Sequence, residues 1–145
     1  MAKFQFKLQN LLNYKLQLEE QSKLALKKAN FELIQKKEEL AKTDSELKYI
    51  NKALIEENLS ENQIWLYQEM EKNLTMEKDR LKKEIDNLIQ KIDILRKDLL
   101  NKTIERKKIE RLKEKERERF LYEEQKKEQK EIGDIAIFRY EKPTI

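Results

Sequence analysis

The chain has 145 residues, 43% of them charged, with 33 basic against 29 acidic side chains and a formal net charge of +4. Cysteine and histidine are absent, which excludes disulfides, thiolate metal sites and the usual general base. One glycine and one proline leave almost nothing to interrupt long helices, and the charge content, against about 25% in an average domain, points to a narrow apolar seam rather than a spherical core.

Further function classes fall away on the same grounds. A phosphate-cradling loop needs several glycines, and Ser22, Ser45 and Ser60 have no histidine to activate them. We therefore expect no enzymatic activity, no cofactor, no metal site and no small-molecule ligand. The charges alternate in sign, as in Lys113-Glu114-Lys115-Glu116-Arg117-Glu118-Arg119, where a nucleic-acid surface would need a clustered basic stripe. No nucleic-acid partner is expected. No apolar run approaches the roughly 18 residues of a bilayer span, and no apolar stretch follows Lys3 and Lys7 as in a signal peptide. A cytoplasmic chain is the expectation.

The chain opens on Phe4-Gln5-Phe6-Lys7-Leu8-Gln9-Asn10-Leu11-Leu12, with more apolar residues than one seam needs. A heptad repeat then sets in. Leu12, Leu26, Leu33, Leu40, Leu47 and Leu54 share one position, broken by Glu19, while the companion position holds Leu8, Lys15, Ser22, Ala29, Lys36, Thr43 and Ile50. Sustained heptads predict a coiled-coil helix, over about residues 6–57. Its polar companions make the seam weak, so this helix needs a partner.

Apolar periodicity stops at Glu56-Glu57-Asn58, and a turn is predicted at about 58–60. Ser60, with Gln63 three residues on, makes a capping box that starts a new helix at about 61. Its seam runs through Ile64, Tyr67, Leu74, Leu81, Ile85, Leu88, Ile92, Leu95 and Leu99. It then thins through Lys102, Arg106, Ile109, Lys113, Glu116 and Phe120, where propensity and charge pairs four apart carry the helix on. Gly133 is the first inexpensive stop, as a left-handed C-cap. The second helix is thus expected over 61–132, with a tail at 133–145 in which Pro143 blocks continuation.

The predicted fold is all-α: one domain over 1–145, a long antiparallel two-helix coiled-coil hairpin with a C-terminal overhang. The arms would be about 75 Å and roughly 105 Å long at 1.5 Å per residue, and a short turn forces them antiparallel. The first arm runs out opposite about residue 113, leaving an overhang of about 20 residues on the same rise. The second seam weakens where its partner ends.

Three places invite partners. Near the turn, Tyr49, Ile50, Trp65, Leu66, Tyr67 and Met70 concentrate. A two-helix seam can absorb Ile50 and Tyr67 but not Trp65, Leu66 and Tyr67 together, because consecutive residues point in different directions. Such residues are enriched at interface hot spots; the plainer alternative is that they plug the open end of the hairpin. The second place is the N-terminal Phe4–Leu12 segment. The third is Arg106–Arg139, where Phe120, Leu121, Tyr122, Ile135, Ile137, Phe138 and Tyr140 are costly to leave in water; its plainer alternative is a frayed, solvated helix.

The opening FQFKLQNLL, Phe4 to Leu12, resembles the start of the FliJ family of flagellar type III export proteins. So does KKIERLKEKERERFLYEEQKKEQKEIGDIAIFR, Lys107 to Arg139, with its Glu-Glu-x-x-x-Glu-Gln-Lys-Glu core at Glu123–Glu131 followed by Asp134-Ile135-Ala136. The middle matches only as coiled coil, and Gly133 stands where the family more often keeps a helix former. The resemblance implies a stalk-like part of the export apparatus at the flagellar base, cytoplasmic and peripheral to the inner membrane. Its implied partners are the hexameric export ATPase, the membrane-embedded export gate and the export chaperones, with a monomer in the ring rather than a homodimer. On this footing the ring-contact candidates are Phe4, Phe6, Leu11, Arg111, Phe120, Tyr122, Glu124, Gln129 and Lys130. The gate-contact candidates at the tip are Ile50, Trp65, Tyr67, Met70 and Leu74.

Three other readings stay open. One is a generic structural coiled-coil rod or homodimer, which Lys15, Lys36 and Arg106 at seam positions permit equally. Another is the equivalent stalk of a virulence type III secretion system. The third is a vacuolar-type rotary ATPase stalk, which the short turn argues against.

Overall fold

The computed structural model describes residues 2–141. It is all-α, two long helices packed against each other with no strand among the described residues. Helix α1 spans Gln9–Glu56 and helix α2 spans Glu61–Glu141. Its described residues form two compact units: a turn unit, residues 20–100, and a terminal unit, residues 2–19 with 101–141.

In the turn unit the last bond of α1 runs from the Glu57 amide to the Ala53 carbonyl, 3.1 Å. The capping box then forms in both directions. Ser60 N–H donates to Gln63 Oε1 at 3.0 Å, and Gln63 N–H donates to Ser60 Oγ at 3.3 Å. Two otherwise orphaned amide donors are thereby satisfied, and the Ile64 amide begins the α2 ladder on the Ser60 carbonyl at 2.9 Å. The buried seam consists of Ala29, Leu47, Ile50 and Ala53 from α1 and Leu81, Ile85 and Ile92 from α2. All but Ala53 hold the heptad positions predicted for the seam. Leu81 is wholly enclosed, and each such leucine or isoleucine stabilises by about 1.5–3 kcal/mol.

Several polar seam positions pair across the helices. Ser22 Oγ donates to Asp98 Oδ2 at 2.9 Å, Lys36 meets Glu84 at 3.0 Å, and Lys78 meets Asp44 at 2.8 Å. As the α1 partner advances from 22 to 44, the α2 partner retreats from 98 to 78. The pairing is therefore antiparallel and in step.

The terminal unit repeats this logic with less apolar mass. Its buried residues are Phe6, Leu12 and Glu19. Lys113 Nζ donates to Gln9 Oε1 at 2.7 Å, Lys15 pairs with Glu105 at 2.9 Å, and Arg106 Nε donates to Glu19. The pairing here too is antiparallel.

Two expected boundaries move. Helix α1 begins at Gln9, not near residue 6. The Gln9 amide closes a turn on the Phe6 carbonyl at 3.1 Å, and the Leu12 amide makes the first helical bond to Leu8 at 2.9 Å. Helical residues two apart do not share a face. Leaving the lead-in non-helical lets both Phe4 and Phe6 be sequestered, one against Phe120 and the other buried.

The second correction concerns Gly133, which does not cap α2. The helix passes through it to Glu141, and Gly133 has no positive φ. A left-handed φ is what a C-cap requires. Within a helix a glycine costs only about 1 kcal/mol relative to alanine, and strong helix formers flank it. Pro143 lies outside the described residues.

Candidate interaction surfaces

The terminal surface is built where the non-helical lead-in crosses α2. The rings of Phe4 and Phe120 stand 5.6 Å apart, centroid to centroid, tilted by 47°, within the favourable range for aromatic pairs. Around them Lys3, Gln5, Lys7, Glu116, Arg119 and Glu123 frame a depression of about 470 Å³. Two residues from the opposite sequence motifs therefore meet at one place. Phe6 is buried instead of displayed. Among the expected ring contacts it is thus packed within the unit, whereas Phe4 and Phe120 are only half-buried.

The remaining terminal candidates are not gathered into that depression. Leu11 is exposed on α1. Arg111 lines a separate surface hollow along α2 with Ile104 and Lys107. Past Phe120, helix α2 is exposed almost throughout. There Tyr122 lies under Lys126, whose Nζ stands 4.8 Å from the ring centroid, a cation–π pair. Glu124 sits 3.8 Å from Lys127, and Gln129 and Lys130 face solvent.

The tip surface belongs wholly to the turn unit. A groove of about 480 Å³ runs between the two helices there, and Ile50, Tyr67, Met70 and Leu74 line it together with Tyr49. Ser45, Glu46 and Asn73 provide its polar rim. Ile50 is buried and forms the floor. Trp65 is 63% exposed and lies outside the groove, as its place two residues before Tyr67 on a helix dictates. Four of the five tip candidates are thus brought together and one is not. Tyr49 was visible in the sequence as part of this cluster; its place on the groove wall depends on how closely α2 approaches, which periodicity does not give.

A third surface lies along α1, away from the seam. Leu24, Phe31 and Ile34 stand exposed on α1 beside Lys27 and Lys28. The available signal was their register: Leu24 and Phe31 each fall two residues before a seam leucine, Leu26 and Leu33, at the most outward heptad position.

Electrostatics along both units is dominated by local ion pairs. The Lys78 ammonium, with Lys48 beside it, holds the Asp44 carboxyl below its usual range. Lys36 does the same to Glu84, and Lys15 to Glu105. Glu84 in return raises the Lys36 ammonium, and Glu19 with Glu110 raises the Arg106 guanidinium. Every one of these shifts follows from an opposite charge and a hydrogen bond to the charged form, a structural pattern rather than a poised acid–base pair. No helix among the described residues is long and apolar enough to cross a membrane.

A protein-family model described as flagellar FliJ protein matches residues 4–144. No curated protein and no solved structure gives a match.

Proposed function

This chain belongs to the FliJ family of flagellar export proteins, and from that premise we propose that it is the stalk-like link of the export apparatus. The family is one of export components, not of enzymes. In the proposed role, the terminal unit enters the central hole of the hexameric export ATPase. The groove near the turn meets the membrane-embedded export gate, and export chaperones use the same chain as a docking partner. Association with the inner membrane at the flagellar base then comes through the gate.

The observation that supports this reading best is the Phe4–Phe120 contact. The two segments with the family's distinctive sequence are its opening and its C-terminal run, and the fold seats both in one unit. A single partner can therefore read both. Phe4, Phe120, Arg111, Tyr122, Glu124, Gln129, Lys130 and Leu11 supply aromatic, cationic and amide groups for a ring lining. At the other surface Tyr67, Met70 and Leu74 over Ile50 offer an apolar groove of the size a helix or loop of a gate protein can fill, with Trp65 beside it.

The mechanism is mass action. A stalk that binds the assembled ring more tightly than free subunits shifts the equilibrium toward hexamer. Adding the purified chain to the cognate export ATPase is expected to raise both the hexamer fraction in analytical ultracentrifugation and the hydrolysis rate. Combined alanine replacement of Phe4 and Phe120 is expected to abolish both effects while far-UV circular dichroism stays helical. If the wild-type chain changes neither quantity, the stalk role is wrong.

A further inference from the structure

We propose that the outward face of α1 at Leu24, Phe31 and Ile34 is a docking site for an acidic amphipathic α-helix of a partner protein. The inference is independent of the export reading and uses a surface assigned there to no partner. In a two-helix coiled coil the position farthest from the seam is the wettest. Here that position holds leucine and then phenylalanine, 58% and 60% exposed. Ile34 follows Phe31 by three residues on the same side and is also more than half exposed. The seam gains nothing from these side chains, and leaving them in water is unfavourable. Apolar patches rimmed by polar groups mark interaction sites.

Charge selects the occupant. Signs alternate almost everywhere in this chain, but Gln21–Phe31 contains Lys23, Lys27 and Lys28 and no acid. Lys27 and Lys28 themselves line the hollow of about 590 Å³ that runs along this face. Their alkyl stems extend the apolar surface while the ammonium groups stay at its edges. A partner must therefore bring apolar side chains for the centre and carboxylates for the flanks. The spacing selects the partner's form. Leu24, Phe31 and Ile34 form a ridge one side chain wide over eleven residues, about 15 Å of helix. A ridge of that width packs into the groove of another helix. A lipid surface would need a broad apolar face to sink into the interface.

The probe is a synthetic peptide of about 18 residues, five helical turns, with leucines three and four apart and glutamates on both flanks. A control peptide has lysine at every glutamate position. Each is titrated into the full-length, nitrogen-15-labelled chain and followed by amide resonances. The acidic peptide is expected to shift the amides of residues 24–34, and the lysine peptide to leave them unmoved. Because all three positions face outward, Phe31→Ser and the pair Lys27→Glu with Lys28→Glu keep the helix. Each is expected to weaken binding at least about tenfold, or 1.4 kcal/mol. Equal shifts from both peptides, shifts confined to other residues, or unchanged affinity in the variants would overturn the proposal. So would two further results: wild-type chain that sediments with anionic phospholipid vesicles through Phe31, or a solution mass that falls when Phe31 is replaced. The first would make the face a lipid contact and the second an interface between copies of this chain.

Discussion

Glu19 interrupts a column of leucines, and the fold shows what it gains. Its side chain is buried, 6% accessible, beside an Arg106 side chain that is 18% accessible. Arg106 has a second carboxylate four residues on, with Nη1 donating to Glu110 at 2.7 Å. The two partners are also unequal in burial. Replacing Arg106 by leucine takes away the guanidinium that donates to the buried Glu19 carboxylate. The expected loss is about 2 kcal/mol, less than the roughly 3–5 of a fully buried pair because Arg106 keeps some contact with water. Replacing Glu19 by leucine instead completes the leucine column, and Arg106 keeps Glu110. That change is expected to be neutral or stabilising by about 1 kcal/mol. Urea unfolding followed by circular dichroism separates the two cases, and equal losses in both variants would refute the asymmetry.

At the scale of the helix, Gly133 carries the sharpest prediction. A β-carbon built on Gly133 meets nothing within 4 Å, and its φ is not positive. Gly133→Ala is therefore expected to strengthen the end of α2 by about 0.5–1 kcal/mol, seen as slower amide exchange over residues 125–140. A left-handed cap would give the opposite sign. The helix start at Ser60 was legible because its signal is local: a hydroxyl and an amide side chain three residues apart satisfy each other's backbone. The seam was legible too, since a period of seven in leucine survives almost any surface sequence. Gly133 was misread because glycine both caps helices and sits within them, and the residue alone does not say which φ it takes. The start of α1 was misread because Phe4 and Phe6 answer to Phe120 and the core, more than a hundred residues away. The Leu24–Phe31–Ile34 ridge does not stand out in the sequence, because it falls outside the seam among positions that are ordinarily solvated. Of the candidate surfaces, the tip cluster was readable as composition, whereas the groove that unites Ile50, Tyr67, Met70 and Leu74 is a product of two helices at one spacing.

Taken over the whole molecule, the chain supplies its own counter-charges. Lys15, Lys36 and Arg106, the seam cations that sequence alone allowed to face a second copy, meet Glu105, Glu84 and Glu19 of the same chain. A monomer is therefore expected in light scattering, with a mass of 17.8 kDa; a stable doubled mass would mean that these pairs exchange between copies. The same pairs set the response to acid. Asp44, Glu84 and Glu105 are each held below the ordinary carboxylate range by a lysine hydrogen bond. A carboxyl whose folded value is depressed binds fewer protons in the folded than in the unfolded state, so its contribution is complete above the unfolded value and disappears as pH falls through the folded one. The thermal midpoint is accordingly expected to be flat from about pH 8 to 5 and to drop below about pH 4, the ordinary carboxylate range. Lys36 and Arg106 shift upward, so their contribution persists at alkaline pH until each loses its proton, beyond the range of an ordinary scan. Because most of these groups remain partly in water, added salt should shrink the acid-induced drop. Replacing Asp44, Glu84 and Glu105 together by their amides should flatten the profile below pH 4; an unchanged drop in that triple variant would show that other carboxyls govern acid unfolding.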